Sequence, residues 1–213
     1  MITVENVNKT IKKHRILKNV SCTVPDNSIC GFVGNNGSGK TVLFKCILGF
    51  YYPESGHIII DGKERSKKDG ILKGASALIE HPAFLENYSG MQNLRYLYEL
   101  NHKKNNQYLK DVMAKVGLNP EDRKPVSKYS LGMKQRLGIA QVIMEESRIM
   151  VFDEPMNGLD YKGVEEIRKI ILSLRDQGTT ILLASHNRQD IDILCDSVYE
   201  MDDGNILELK DVQ

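Results

Sequence analysis

The sequence has 213 residues, 41% hydrophobic and 27% charged, ordinary globular values that exclude a disordered chain or a long coiled coil and suffice for a full hydrophobic core. Lys and Arg total 29 against 28 Asp and Glu, so no overall basic field argues for a nucleic-acid partner, and the basic run 101–106 (NHKKNN) reads as a solvated turn. No apolar stretch approaches the ~20 residues that span a bilayer, and the opening MITVENVNKT lacks a signal-peptide layout.

Residues 2–7, 16–24 and 57–61 read as strands of a small, partly antiparallel sheet. Four short runs, 29–33 (ICGFV), 75–79 (ASALI), 149–152 (IMVF) and 181–184 (ILLA), are apolar without alternation. That pattern fits strands covered on both faces, as in a parallel sheet. A helix is expected at 42–50, and another where Val164, Ile167, Ile170, Ile171 and Leu174 recur at helical spacing before Gly178. Between 86 and 147 the pattern is helical only. One stripe is Leu94, Leu97 and Tyr98, a second is Leu109, Val112 and Val116, and a third is Ile139, Val142 and Ile143. Residues 198–201 and 206–209 read as a closing hairpin. Cys22, Cys30, Cys46 and Cys195 show no paired or zinc-like spacing, and Cys30 and Cys46 sit in apolar company, which points to free thiols in a reducing cytosol.

The stretch Gly34-Asn35-Asn36-Gly37-Ser38-Gly39-Lys40-Thr41 fits the pattern GxxxxGK[ST], follows a predicted strand and opens a predicted helix at Val42. Glycines let backbone N–H groups converge on phosphate oxygens, and the helix N-terminus adds partial positive charge. Lys40 is expected on the β- and γ-phosphates of ATP and Thr41 on magnesium. The run 149–152 ends in Asp153 and Glu154. Asp153 suits the second magnesium contact, and Glu154 suits a general base for the attacking water. An α/β fold of the P-loop NTPase (RecA-like) kind follows: a mostly parallel sheet, a small antiparallel β subdomain and an inserted all-helical lobe. On that reading 1–85 and 148–213 make the nucleotide-binding core, and 86–147 the lobe.

Three further stretches accompany these: Tyr129-Ser130-Leu131-Gly132-Met133-Lys134-Gln135-Arg136, Asn157-Gly158-Leu159-Asp160 and Ser185-His186. The set resembles, in order and over essentially the whole chain, the motifs of ABC transporter ATP-binding subunits. The resemblance implies two such subunits paired head to tail, with Ser130 and Gly132 of one reaching the γ-phosphate held by the other. It also implies that Asp160 crosses the interface, that His186 bonds the γ-phosphate, and that the pair docks on a membrane-spanning permease from the cytoplasmic side. Identical copies are the expected pairing, and no nucleic acid is expected.

Against the family pattern, Leu131 stands for the first signature glycine and Met133 for the glutamine, while Ser130 and Gly132 remain. Glu80 occupies the position of a usual glutamine. It is acceptor-only and negative, and suits magnesium or water. With the SLGMKQR signature it resembles the subgroup that exports or confers immunity to bacitracin and lantibiotic-type peptides. His81 and Pro82 read as loop. Ile11 is expected where the family stacks an aromatic on adenine, giving apolar contact without a π-face. The chain ends at Gln213 just after the hairpin, leaving no room for an appended regulatory domain. A soluble ATPase of DNA repair or translation would carry a long coiled coil or tandem cassettes. A non-hydrolysing cassette would have lost Lys40, Asp153, Glu154 or His186.

Overall fold

The computed structural model describes residues 1–80 and 82–211. Strands β1 (Ile2–Ile11) and β2 (His14–Val24) form a hairpin, and β3 (Ile29–Val33) leads through the glycine loop into α1 (Lys40–Ile47). Short strands β4 (Ser55–Ile60) and β5 (Lys63–Glu64) precede β6 (Ala75–Leu78). Three helices follow: α2 (Gly90–Tyr98), α3 (Asn106–Lys115) and α4 (Leu131–Ile143). The chain then runs β7 (Ile149–Asp153), α5 (Tyr161–Asp176), β8 (Thr180–Ala184), α6 (Arg188–Leu194), β9 (Ser197–Asp202) and β10 (Asn205–Asp211).

The larger sheet has the order β10-β9-β3-β8-β7-β6. Its pairs are parallel from β9 to β6, and β10 closes it antiparallel to β9. The smaller sheet, β2-β1-β4-β5, is wholly antiparallel rather than partly so. The apolar runs are explained by the pleat, because each residue feeds one of two cores. Met150, Phe152, Ile181 and Leu183 join the helices of the 86–147 stretch, α5 and α6 on one face. Ile149, Val151, Leu182 and Ala184 join α1 and the small sheet on the other. Alternation is thus present in position but invisible in hydrophobicity. Phe32, fully buried, packs edge-on against Phe44 of α1 at 5.3 Å and stacks with Tyr199 of β9 at 5.6 Å, fixing the strand that carries the glycine loop to the helix that leaves it.

Several boundaries moved for local reasons. Strand β1 extends past residue 7 because register shifts after Val4, Val7 and Lys9 break the period-two pattern that sequence reading follows. Helix α1 starts two residues before the expected 42, since Gly39 at φ +108° turns the loop directly into the helix. In α2, Leu94 is fully buried but Leu97 is 40% exposed. Tyr98 covers the i+4 position instead, stacking on His102 at 4.4 Å and tilting against Tyr108 at 5.5 Å. Helix α6 was not anticipated. All four cysteines are free and buried. Desolvation pushes the Cys30 and Cys46 thiols up to about 12, and raises Cys22 and Cys195 as well. His81, read as loop, lies outside the described residues.

Candidate active site

Register brings the chemistry to one level. Phe32 of β3 and Asp153 of β7 both pair with Ala184, the last residue of β8. The glycine loop, the acid pair and the Ser185–His186 step therefore leave the sheet side by side at its carboxyl edge, where open α/β sheets bind ligands.

The loop rises from Gly34, whose φ is +151° and whose missing Cβ would lie 2.1 Å from the Met201 carbonyl. Only glycine can pass there. Lys40, 6% exposed, turns its ammonium back to the carbonyls of Gly34 (2.7 Å) and Asn35 (3.1 Å), with the Ser38 hydroxyl at 3.5 Å. Desolvation lowers its pKa, and the charges of Glu154 and Asp153 oppose that. No acidic residue occupies the first turn of α1, so the helix N-terminus keeps its positive end free for an anion.

Thr41 Oγ1 donates to Asp153 Oδ2 at 2.5 Å. Burial pushes the Asp153 carboxyl above the usual range, against the Thr41 bond and the Lys40 charge. Glu154 follows in a left-handed conformation, φ +55°, its N–H donating to Ala184 O at 2.9 Å. Its Oε2 meets His186 Nδ1 at 2.8 Å, while its Oε1 is buried with no hydrogen-bond partner in the protein. A buried acceptor without a donor is costly unless something else fills it. The adjoining cavity, which Glu154 also lines, has room for a water to serve.

That cavity, about 360 Å³, is lined by the loop from Asn36 to Thr41, Val42, Glu80, Asp153 and Glu154. The Thr41 hydroxyl and the Asp153 carboxylate are hard oxygen donors that suit magnesium. Among the described residues no cluster of three His, Cys, Asp or Glu is disposed around a metal.

Glu80 lines the cavity, but its Oε1 is bonded to Lys45 Nζ at 2.6 Å rather than to the Thr41–Asp153 pair. His186 lies to the side. It lines a neighbouring cavity of about 640 Å³ with Gly34, Asn35 and Asn36, and reaches the first only through Glu154. Ile11 is not among the lining residues; Ile16, from β2, is. Ser130, Gly132 and Asp160 also lie outside the cavity. Ser130 caps α4 by accepting from Met133 N at 3.2 Å, and Asp160 caps α5 by accepting from Gly163 N at 3.0 Å. A Cβ on Gly132 would stand 2.9 Å from Gly158 O, so the start of α4 rests directly on the loop after Glu154.

Sequence reading missed three participants. Buried Gln135 donates to the carbonyls of Glu154 (3.2 Å) and Pro155 (3.0 Å), tying α4 to the acid loop. Asn157 lines the cavity. Lys45 was legible in principle, since it stands four residues after Thr41 and so on the same helical face.

A strand, glycine loop and helix with a buried and a part-buried acid at the sheet edge define a P-loop ATPase site. The model of the ABC transporter family matches residues 17–157. YybJ, an uncharacterised ABC transporter ATP-binding protein of Bacillus subtilis (strain 168), is 39% identical over 206 residues, 97% of this chain and 94% of its own. The lantibiotic transport ATP-binding protein SrtF of Streptococcus pyogenes is 35% identical over 99% of this chain and 91% of its own. The bacitracin transport ATP-binding protein BcrA of Enterococcus faecalis is 36% identical over 98% of this chain and 68% of its own. A dimeric ATP-binding cassette solved in a post-hydrolysis state with ADP and Pi superposes with a TM-score of 0.91 at 18% identity, over 100% of this chain and 99% of that one. The chain belongs to the ABC transporter ATP-binding family, and is an ATP-binding, ATP-hydrolysing subunit.

Replacing Lys40 with alanine removes the only buried cation at the loop. ATP affinity, measured by isothermal titration calorimetry, is expected to fall about ten- to hundredfold. Unchanged affinity would remove the phosphate assignment.

Proposed function

We propose that this ATPase subunit powers export of a lantibiotic- or bacitracin-type peptide through a separate permease, working with magnesium as one of two identical subunits paired head to tail. Among the described residues no helix is long and apolar enough to cross a membrane, so the reading has the subunit held at the cytoplasmic face by the permease. Residues 86–147 are read as the lobe that docks there. The names of SrtF and BcrA support the peptide class.

One observation carries the paired arrangement. The cavity that holds Lys40 and Glu154 is open, while Ser130 and Gly132 stand at the N-terminus of α4 without lining it, the Ser130 hydroxyl accepting from Met133 N. A hydroxyl and helix N-terminal amides together favour an anion. The phosphate chain of a second copy satisfies them, and Asp160 then lies at the seam.

In this reading the ATP phosphates replace the Gly34 and Asn35 carbonyls as partners of Lys40, and the loop amides of Asn36 to Thr41 cradle the chain. Thr41 and Asp153 would hold magnesium, which would supply positive charge against the phosphates. Glu154 Oε1 accepts the proton of the attacking water, and Oε2 stays on His186, whose ring orients the carboxylate and reaches the γ-phosphate. Ile16 rather than Ile11 offers the apolar contact for the base. Glu80 would leave Lys45 to help hold the hydrated metal, which would make the loop between sheet and helices sensitive to nucleotide.

Glu154→Gln keeps binding but loses the base, so with ATP the variant is expected to elute as a dimer in light-scattering chromatography. A monomer with ATP bound would contradict the paired site. Glu80→Gln is expected to raise the magnesium concentration for half-maximal hydrolysis about threefold or more, a neutral amide being a poorer partner for a hard cation. An unchanged requirement would make Glu80 incidental.

A further inference from the structure

Behind the site lies a buried charge network that the reaction does not itself use. Arg168 of α5 and Asp190 of α6 have side chains only 4% and 1% exposed. Arg168 Nε and Nη2 both donate to Asp190 Oδ1, at 2.9 and 2.5 Å, and Nη1 pairs with Glu165 at 2.6 Å. A buried ion pair is weak evidence for stability, because desolvation offsets much of its attraction. What it supplies here is direction. With Oδ1 taken by the guanidinium, Oδ2 accepts from Ser185 Oγ at 3.2 Å, in a fully buried contact. Ser185 Oγ in turn accepts from Asn187 N at 3.1 Å.

The residues on both sides of His186 are therefore fixed to one hydroxyl, and that hydroxyl is fixed to the ion pair. Asn187 adds a second hold by capping α6, accepting from Gln189 N at 3.0 Å. On the opposite side, Glu154 N donates to Ala184 O, so the His186–Glu154 contact has both ends anchored on the last residues of β8. The His186 side chain is itself 64% exposed, and among the described residues it bonds to Glu154. Its aim depends on the backbone at 185–187.

We infer that Arg168 and Asp190 act through Ser185 as positioning residues for His186, setting the ring's direction toward Glu154 and the γ-phosphate. This rests on the reading of His186 given above. The mildest probe is Ser185→Ala in the intact chain, which cuts the link and leaves the ion pair whole. Because a misaimed group costs turnover more than ground-state binding, kcat is expected to fall about tenfold while the ATP concentration for half-maximal rate changes less than about twofold. The ¹⁵N resonance of His186 Nδ1, assigned with His186→Gln, is expected to move toward that of an unbonded imidazole. Ser185→Thr restores both readouts.

Breaking the pair singly strands a buried charge, so the second arm replaces both partners, as Arg168→Met with Asp190→Leu. That variant is expected to fold and bind ATP while showing the kcat loss of Ser185→Ala. Wild-type kcat and an unmoved His186 resonance in Ser185→Ala, or wild-type kcat in the folded double variant, would overturn the inference. If His186→Ala itself turns over at the wild-type rate, the reading of His186 fails instead, which separates the two.

Discussion

A lysine ammonium held almost wholly out of water, with only neutral oxygens beside it, is the constraint on which this structure turns. Lys40 touches the carbonyls of Gly34 and Asn35 and the Ser38 hydroxyl, while the carboxylates of Asp153 and Glu154 act on it only through their charge. A buried cation of this kind costs folding free energy unless an anion completes it. The loop geometry that produces it, with Gly34 pressed against Met201 O, gives no structural return that an ordinary turn would not. A buried cation beside a helix N-terminus suits a phosphate chain.

Everything else serves to hold that loop level with its partners. The shared pairing of Phe32 and Asp153 with Ala184 sets the height of the phosphate loop, the acid pair and the histidine. Thr41 ties α1 to β7, Gln135 ties α4 to the acid loop, and Ser185 ties the histidine to α5 and α6. Each tie links the site to a different helix. Movement of any one of them is felt at the phosphates, which suits a subunit whose reaction drives work elsewhere.

How much of this was legible in the sequence follows from locality. The strands β3, β7 and β8 were visible because both faces are covered and nearly all their residues are apolar, whereas β6, an edge strand carrying Ser76, is mostly half-buried. The phosphate loop was visible because its residues are consecutive. Strand β1 was read short because its bulges break the period. Counting along the β1–β2 hairpin points to Ile11 but cannot say which arm faces the cavity; Ile16, on the second arm, lines it. The Lys45–Glu80 and Arg168–Asp190 pairs were hidden for the same reason, since sequence shows residue types and not which distant charges meet. Both are invisible to motif reading and both shape the site.

We propose that the catalytic site is half a site, completed by a second copy of the chain. The most direct measurement is ATP hydrolysis per subunit across a wide range of subunit concentration at saturating ATP and magnesium. The claim requires specific activity to rise with concentration, approaching second order when dilute and levelling off once pairs form. Specific activity that stays constant down to the lowest measurable concentration, with the subunit monomeric throughout, would contradict it.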